Sequence, residues 1–211
     1  MRFADCVLRV SFLFAALSPA GCGGEGHGDL LPALDQGAKI VLEAEQGEVT
    51  PAMRVEDFVP RRHPKRGLQQ ASGGKCVSVP KGANTDANGE KIPPKGKVVL
   101  TFSVPKRGKY YIYPRTWWKD GCGNSFKMVV DQRPPVVVED GTYEVWHWIT
   151  LRSKKGTSQS RKPRPFPLKE GEHTVTFYNR EDHARLDQVY VTDDPDDRPT
   201  DIMEAPDKKS P

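Results

Sequence analysis

The sequence predicts an all-β chain, a single antiparallel β-sandwich, and three observations carry that expectation. Apolar residues alternate with polar ones in run after run, whereas helical periodicity is scarce. Each run is short and stops at a turn signal such as "SGG", "NG", "EDG" or "KEGEH". Glycine and proline each occur 19 times in 211 residues, which punctuates short strands and favours a sandwich over a βαβ arrangement.

The elements follow in chain order. "KIVLEAE" (39–45) opens the domain, and "CVSVP" (76–80) comes next. In "GKVVLTFSVP", Val98, Leu100, Phe102 and Val104 alternate with Val99, Thr101 and Ser103, so one face belongs to a core. "KRG" then leads into "GKYYIYPRTWW", and so short a turn predicts a hairpin. Pro114 lies inside this aromatic run, which puts the segment at an edge or a bulge. If alternation survives it, Tyr111, Tyr113, Arg115 and Trp117 share one face and Trp118 lies on the other. "SFKMVVD" (125–131), "PPVVVED", "WHWITL" (146–151), "HTVTFYN" (173–179) and "RLDQVYVT" (185–192) complete the strands. "KGANTDANGEKIPPKG" and "RSKKGTSQSRKPRPFP" read as long surface loops. No internal repeat is visible.

Residues 1–21 have the layout of an export signal: Arg2 and Arg9, then the apolar "VSFLFAALSPA", then small residues. The apolar core is too short for a mature membrane span, which takes about 20 residues. Cleavage after Ala20 is one outcome. Lipidation of Cys22 is the other, since "SPAGC" before "GGEGHG" has the form of a lipoprotein signal, with Pro19 departing from the usual pattern. Residues 22–37 form a linker, 38–194 the sandwich, and 195–211 a polar, poorly ordered tail. The product is exported, held at the cell envelope by a lipid or secreted.

The formal charge of +4 becomes +3 without residues 1–21, which hold two Arg and one Asp. That balance gives no case for nucleic acid. The basic runs "RRHPKR" and "RSKKGTSQSRKPR" read as solvated loops. Of the four cysteines, only Cys76 and Cys122 fall in the domain, and in an oxidising compartment they are expected to pair. No His or Cys cluster has zinc spacing. There is also no Gly-x-Ser-x-Gly elbow, HExxH helix or phosphate loop, so the chain reads as non-enzymatic.

The collinear order "LEAE", "SGGKCVSVP", "GKVVLTFSVPKRGKYYIYPR", "WHW", "LKEGEHTVTFYNRE", "RLDQVYVTDD" resembles carbohydrate-binding modules of families 6 and 35, among the galactose-binding-like jelly rolls. The resemblance covers roughly residues 39–194. It implies a structural calcium ion on Glu43, Glu45 and Asp187, a chemically sensible set of oxygen donors; on spacing alone, the two glutamates simply face solvent. It implies an aromatic sugar platform at Trp146 and Trp148, with Trp148 packing inside and Trp146 available; the other reading makes both core residues. Trp117 and Trp118 at the loop mouth, with Asn124 beyond them, serve either a shallow binding surface or a lid on the core. Where many relatives carry Asn before the last strand, this chain has Arg185, which favours an acidic or sulfated sugar. The implied partner is a polysaccharide or glycan bound by a monomer. The alternative is a structural or protein-interaction sandwich that has lost the sugar site. Burial of the tryptophans separates the two readings.

Overall fold

The computed structural model describes residues 37–84, 95–152 and 162–204. The predicted signal, Cys22 and most of both long loops lie outside these residues. The expected antiparallel β-sandwich is what the chain forms. Seven strands make one sheet: β1 (Lys39–Glu43), β3 (Arg54–Asp57), β6 (Lys75–Ser78), β8 (Gly108–Trp117), β11 (Trp146–Trp148), β12 (Phe166–Leu168) and β14 (Arg185–Thr192). Five make the other: β2 (Glu48–Thr50), β7 (Lys97–Val104), β9 (Ser125–Val130), β10 (Val136–Glu139) and β13 (Gly171–Asn179). A two-stranded ribbon, β4 (Arg61–His63) with β5 (Gly67–Gln69), stands apart. The five-stranded sheet runs β10-β9-β13-β7-β2, and the spine of the larger sheet runs β11-β8-β14-β6-β3, with β1 on β14 and β12 on β8.

Alternation explains the core. Val98, Leu100, Phe102 and Val104 of β7, Phe126, Met128 and Val130 of β9, and Val175 and Phe177 of β13 point inward from the small sheet. They meet Val77 of β6, Tyr110 and Ile112 of β8, and Leu186, Val189 and Val191 of β14. Each large apolar side chain so buried contributes about 1.5–3 kcal/mol. Trp118 follows β8 with the parity of Tyr110 and Ile112 and joins this core, fully buried.

The predicted hairpin at 104–108 does not form. β7 pairs with β13 and β2, whereas β8 pairs with β14, β11 and β12. Both strands have a core face, and the short turn satisfies both by arching from one sheet to the other. Pro114 meets the second of its two expectations, a bulge rather than an edge. It lies within β8, opposite Val189 and beside the irregularity in β14 register between Leu186 and Val189, as a residue without an N–H requires in an interior strand. The alternation survives it.

The outer face of the seven-stranded sheet is covered as well. Phe58, Ala71, Cys76, Trp117 and Trp146 form a second apolar cluster there, beside the ribbon. "RRHPKR", expected to be a loop, supplies β4 and the ribbon's turn, closed by Gly67 at φ 73°. Residues 195–204, expected to be poorly ordered, dock as a strap. Asp197 accepts from Tyr190 Oη at 2.6 Å and pairs with Lys39 at 3.0 Å. Gln188 exchanges two hydrogen bonds with the Met203 backbone, at 2.7 and 3.1 Å. Composition marks the segment as polar, but its polar groups have partners on β14.

Candidate ligand-binding site

The predicted site residues do not assemble into one exposed platform. They separate into two groups on opposite sides of the larger sheet, with the acids beside the first.

Trp117 and Trp146 sit side by side, paired across β8 and β11, on the outer face. Phe58 meets both edge-on, at 6.2 and 5.1 Å between centroids. Three guanidinium groups complete the arrangement: Arg185 lies 4.5 Å and Arg61 5.2 Å from the Trp117 ring, and Arg115 lies 5.4 Å from Trp146. Such contacts stabilise by about 0.5–2 kcal/mol each. Trp117 is 2% exposed and Trp146 8%, and both indole N–H groups are buried without partners. The expectation that Trp146 is available and Trp148 buried is therefore reversed. Trp146 is covered by Phe58, and its N–H backbone donates to Gln69 Oε1 at 2.8 Å. Trp148, half-buried, lies nearer the strap and donates its indole N–H to the Asp201 carbonyl at 2.8 Å. Arg185 is not a free ligand group: its Nε pairs with Glu56 at 2.8 Å, and that bond holds the Glu56 carboxyl below its ordinary value despite burial, which raises it.

Trp118 and Asn124 meet instead at Asp140. The Trp118 indole donates to Asp140 Oδ1 at 3.1 Å, and Asn124 Nδ2 donates to the Asp140 carbonyl at 2.7 Å. His147 Nε2 lies 3.0 Å from both Asp140 oxygens, and its Nδ1 lies 3.0 Å from the Val145 carbonyl. Burial raises the Asp140 carboxyl, but hydrogen bonds from His147, the Thr142 N–H and Trp118 outweigh it and leave the group below its ordinary value. Asn124 thus ties the 119–124 loop to its neighbours; its N–H also donates to Glu181 at 3.1 Å. Gly123 is required here, because a Cβ would sit 2.5 Å from the Asp182 carbonyl.

Of the three acids implied for calcium, Glu43 and Asp187 share Ser72 as a donor, and Glu45 lies near enough to Glu43 to feel its charge. Ser72 donates from its hydroxyl to Glu43 Oε1 and from its N–H to Asp187 Oδ1, both at 2.9 Å, and Gln188 donates to Glu43 Oε1 at 2.7 Å. Asp187 is fully engaged, because Arg115 pairs with its other oxygen. Burial pushes the Asp187 carboxyl up to about 7 against the pull of that guanidinium. Glu43 Oε2 and Glu45 Oε2 are buried with no partner. Burial first, then the charge of Glu43, raises the Glu45 carboxyl. Two orphan carboxylate oxygens fit a hard cation; Asp187, with Arg115 in the third place, does not fit as a further ligand. Among the described residues, no group of three or more metal-ligating side chains is arranged to hold an ion.

The predicted disulfide is absent. Cys76 is buried under Phe58 and the tryptophans on β6, while Cys122 is exposed in the 119–124 loop, and both are free. The two positions belong to different surroundings, a packed outer face and an open loop. Burial pushes the Cys76 thiol up to about 12, so it behaves as a small apolar side chain.

A cleft that motif reasoning missed runs between the edge strands of the two sheets. Its volume is about 890 Å³. Along one wall lie 134–137 with Glu139 and Asp140, and along the other Trp148 to Arg152, with Arg164 nearby. Half-buried Trp148 offers an aromatic surface, and two acids and two arginines offer hydrogen-bonding groups of both signs. The only sequence signal for it was Trp148, which had been placed inside.

No protein-family model matches this chain, and no curated protein matches it. Solved structures similar to it include an exo-β-1,3-galactanase of Phanerochaete chrysosporium, with galactose, at 18% identity and a TM-score of 0.48, covering 73% of this chain and 29% of the galactanase. Others are the C-terminal CBM6 of LamC, a laminarinase of Zobellia galactanivorans (12%, TM-score 0.42, 74% and 99% covered), and the module CBM6cm-2 of Cellvibrio mixtus lichenase 5A with cellotriose (15%, TM-score 0.44, 74% and 95% covered). The chain spans less than a third of the galactanase's length.

Proposed function

We propose that this chain is a non-catalytic glycan-binding domain whose ligand lies in the cleft between β10 and residues 148–152. The observation that carries the reading is Trp148, the one half-buried tryptophan, set in a cleft of about 890 Å³ among Glu139, Asp140, Arg152 and Arg164. Its volume is in the ordinary range for ligand sites, about 300–1,000 Å³. A flat ring accepts the C–H face of a pyranose, and charged groups on either side hold its hydroxyls. The finer parts of the reading are an exported protein, released or lipid-anchored through Cys22, acting as a monomer. A calcium ion, if bound, would be held by Glu43 and Glu45 and would tie β1 to the 72–74 turn.

Binding to a panel of neutral and acidic polysaccharides, measured by affinity electrophoresis and repeated with Trp148→Ala, is the test. Wild-type binding that falls about tenfold or more in the variant supports the cleft. Failure of the folded wild type to bind any of them overturns the reading. One observation favours the second reading, a protein-interaction or structural sandwich: Trp117, Trp118 and Trp146 are all buried. Under it, Trp148 serves only to seat the strap, and Trp148→Ala changes stability alone.

A further inference from the structure

Three turns converge at the end of the sandwich opposite the 119–124 loop: those joining β7 to β8, β9 to β10, and β12 to β13. They enclose a shallow depression of about 470 Å³, lined by four cations, Arg107, Lys109, Arg133 and Lys169, with Pro167 and Leu168 between them. No carboxylate lines it. Of the neighbouring acids, Asp193 pairs with Lys106 at 3.4 Å, and Glu170, though next to Lys169, is not part of the lining. Arg133 is anchored by donating to the Pro167 carbonyl. Among the described residues, the side chains of Arg107, Lys109 and Lys169 have no acid partner. Four like charges around one concavity concentrate anions there, and arginine suits the planar or tetrahedral oxygens of carboxylate and sulfate.

We propose that this depression binds the sulfate or carboxylate substituents of an acidic polysaccharide. The polymer class rests on the glycan-binding reading above; the charge rests on the four cations. The two features meet at one turn of the chain: Arg133 lines the depression and the next residue, Pro134, lines the cleft. A single-stranded nucleic acid would want aromatic faces for its bases, and none lines the depression. A bilayer would want a protruding apolar group, whereas the surface is concave and Leu168 is buried.

The test uses the full chain with heparin, dextran sulfate and polygalacturonate, against neutral laminarin and dextran. The variant is the triple substitution Arg107→Ser, Lys109→Ser, Lys169→Ser, at exposed positions, with Arg133 left to hold Pro167. The expected result is a loss of about tenfold or more for an acidic polymer, with neutral binding unchanged. Acidic-polymer binding within twofold of wild type in the triple variant overturns the inference. So does equal, equally sensitive binding of an oligonucleotide or of phosphatidylserine vesicles. Wild type that binds laminarin but no acidic polymer overturns it and leaves the cleft standing. Acidic binding lost in the triple variant yet indifferent to Trp148→Ala supports the depression and removes the cleft. No polymer bound at all overturns both.

Discussion

Asp140 and the two domain cysteines show what single residues contribute. Asp140 accepts from Trp118, His147 and Thr142 and is held below its ordinary value of 3.8. A carboxyl lowered in the folded state adds stability above its unfolded value, and that stability is lost as pH falls through the lowered value. Asp140→Asn is therefore expected to cost about 1 kcal/mol at neutral pH, since the site is partly exposed. It should also flatten the acid-side decline of stability in urea titrations as pH falls through and below about 4, the ordinary carboxylate range. A decline as steep as wild type would show that Asp140 contributes nothing. Thiol labelling checks the cysteines. Cys122 should react in the folded protein at rates typical of an exposed thiol and Cys76 only after denaturation, and a Cys76–Cys122 bridge in non-reducing mass spectrometry would contradict the structure. At this scale residue type misled. Two cysteines in a chain expected to be exported read as a staple, but pairing needs proximity, which the buried strand and the exposed loop do not provide.

At the scale of elements, every long alternating run became a strand, because period-two burial is written directly in residue type. Five short strands, β2, β3, β4, β5 and β12, were not read: three or four residues give alternation little length to register, and these lack the Val- or Trp-rich patterns that mark the equally short β6, β10 and β11. The arch between β7 and β8 was misread for a different reason: a short turn is compatible with two sheet placements, and only β13 and β14 decide between them. The strap was invisible because its stabilisation comes from polar partners on β14 rather than from apolar residues of its own. Deleting residues 195–211 removes the acceptors of Trp148 and Tyr190 and the two hydrogen bonds between Gln188 and the Met203 backbone. Four hydrogen bonds at about 0.5–1.5 kcal/mol each, already net of the solvent contacts that replace them, predict a loss of about 2–6 kcal/mol in chemical denaturation. Tryptophan emission should shift to the red as Trp148 becomes exposed. Unchanged stability and emission would mean that the strap merely rests on the sheet.

For the whole molecule, fold class was legible and the site largely was not. Two layers of alternating strands are a property of pattern, whereas a cleft is a property of edges that pattern does not locate. The tryptophans illustrate this: the sequence marks four of them, and the packing of Phe58 and the ribbon decides which one is left half-open. The acids behave similarly. Glu43 and Asp187 share Ser72 as a donor, but Arg115, an unremarkable residue of an aromatic strand, neutralises the aspartate. Melting curves with calcium and with EDTA separate the possibilities. A rise in Tm with calcium that Glu45→Gln abolishes supports an ion on the two glutamates, and identical curves exclude a contribution to stability. The antiparallel register of β1 on β14 has a mechanical consequence. Lys39 lies opposite Thr192, so the chain enters and leaves the sheet at the same end, and the strap then doubles back as far as Gln188. Tension between residues 37 and 204 would peel the strap away and then open that ladder one pair at a time, like a zipper rather than a sheared seam. Used as a tether between a surface and a load, the domain would yield first at this seam, while the five-stranded sheet still held.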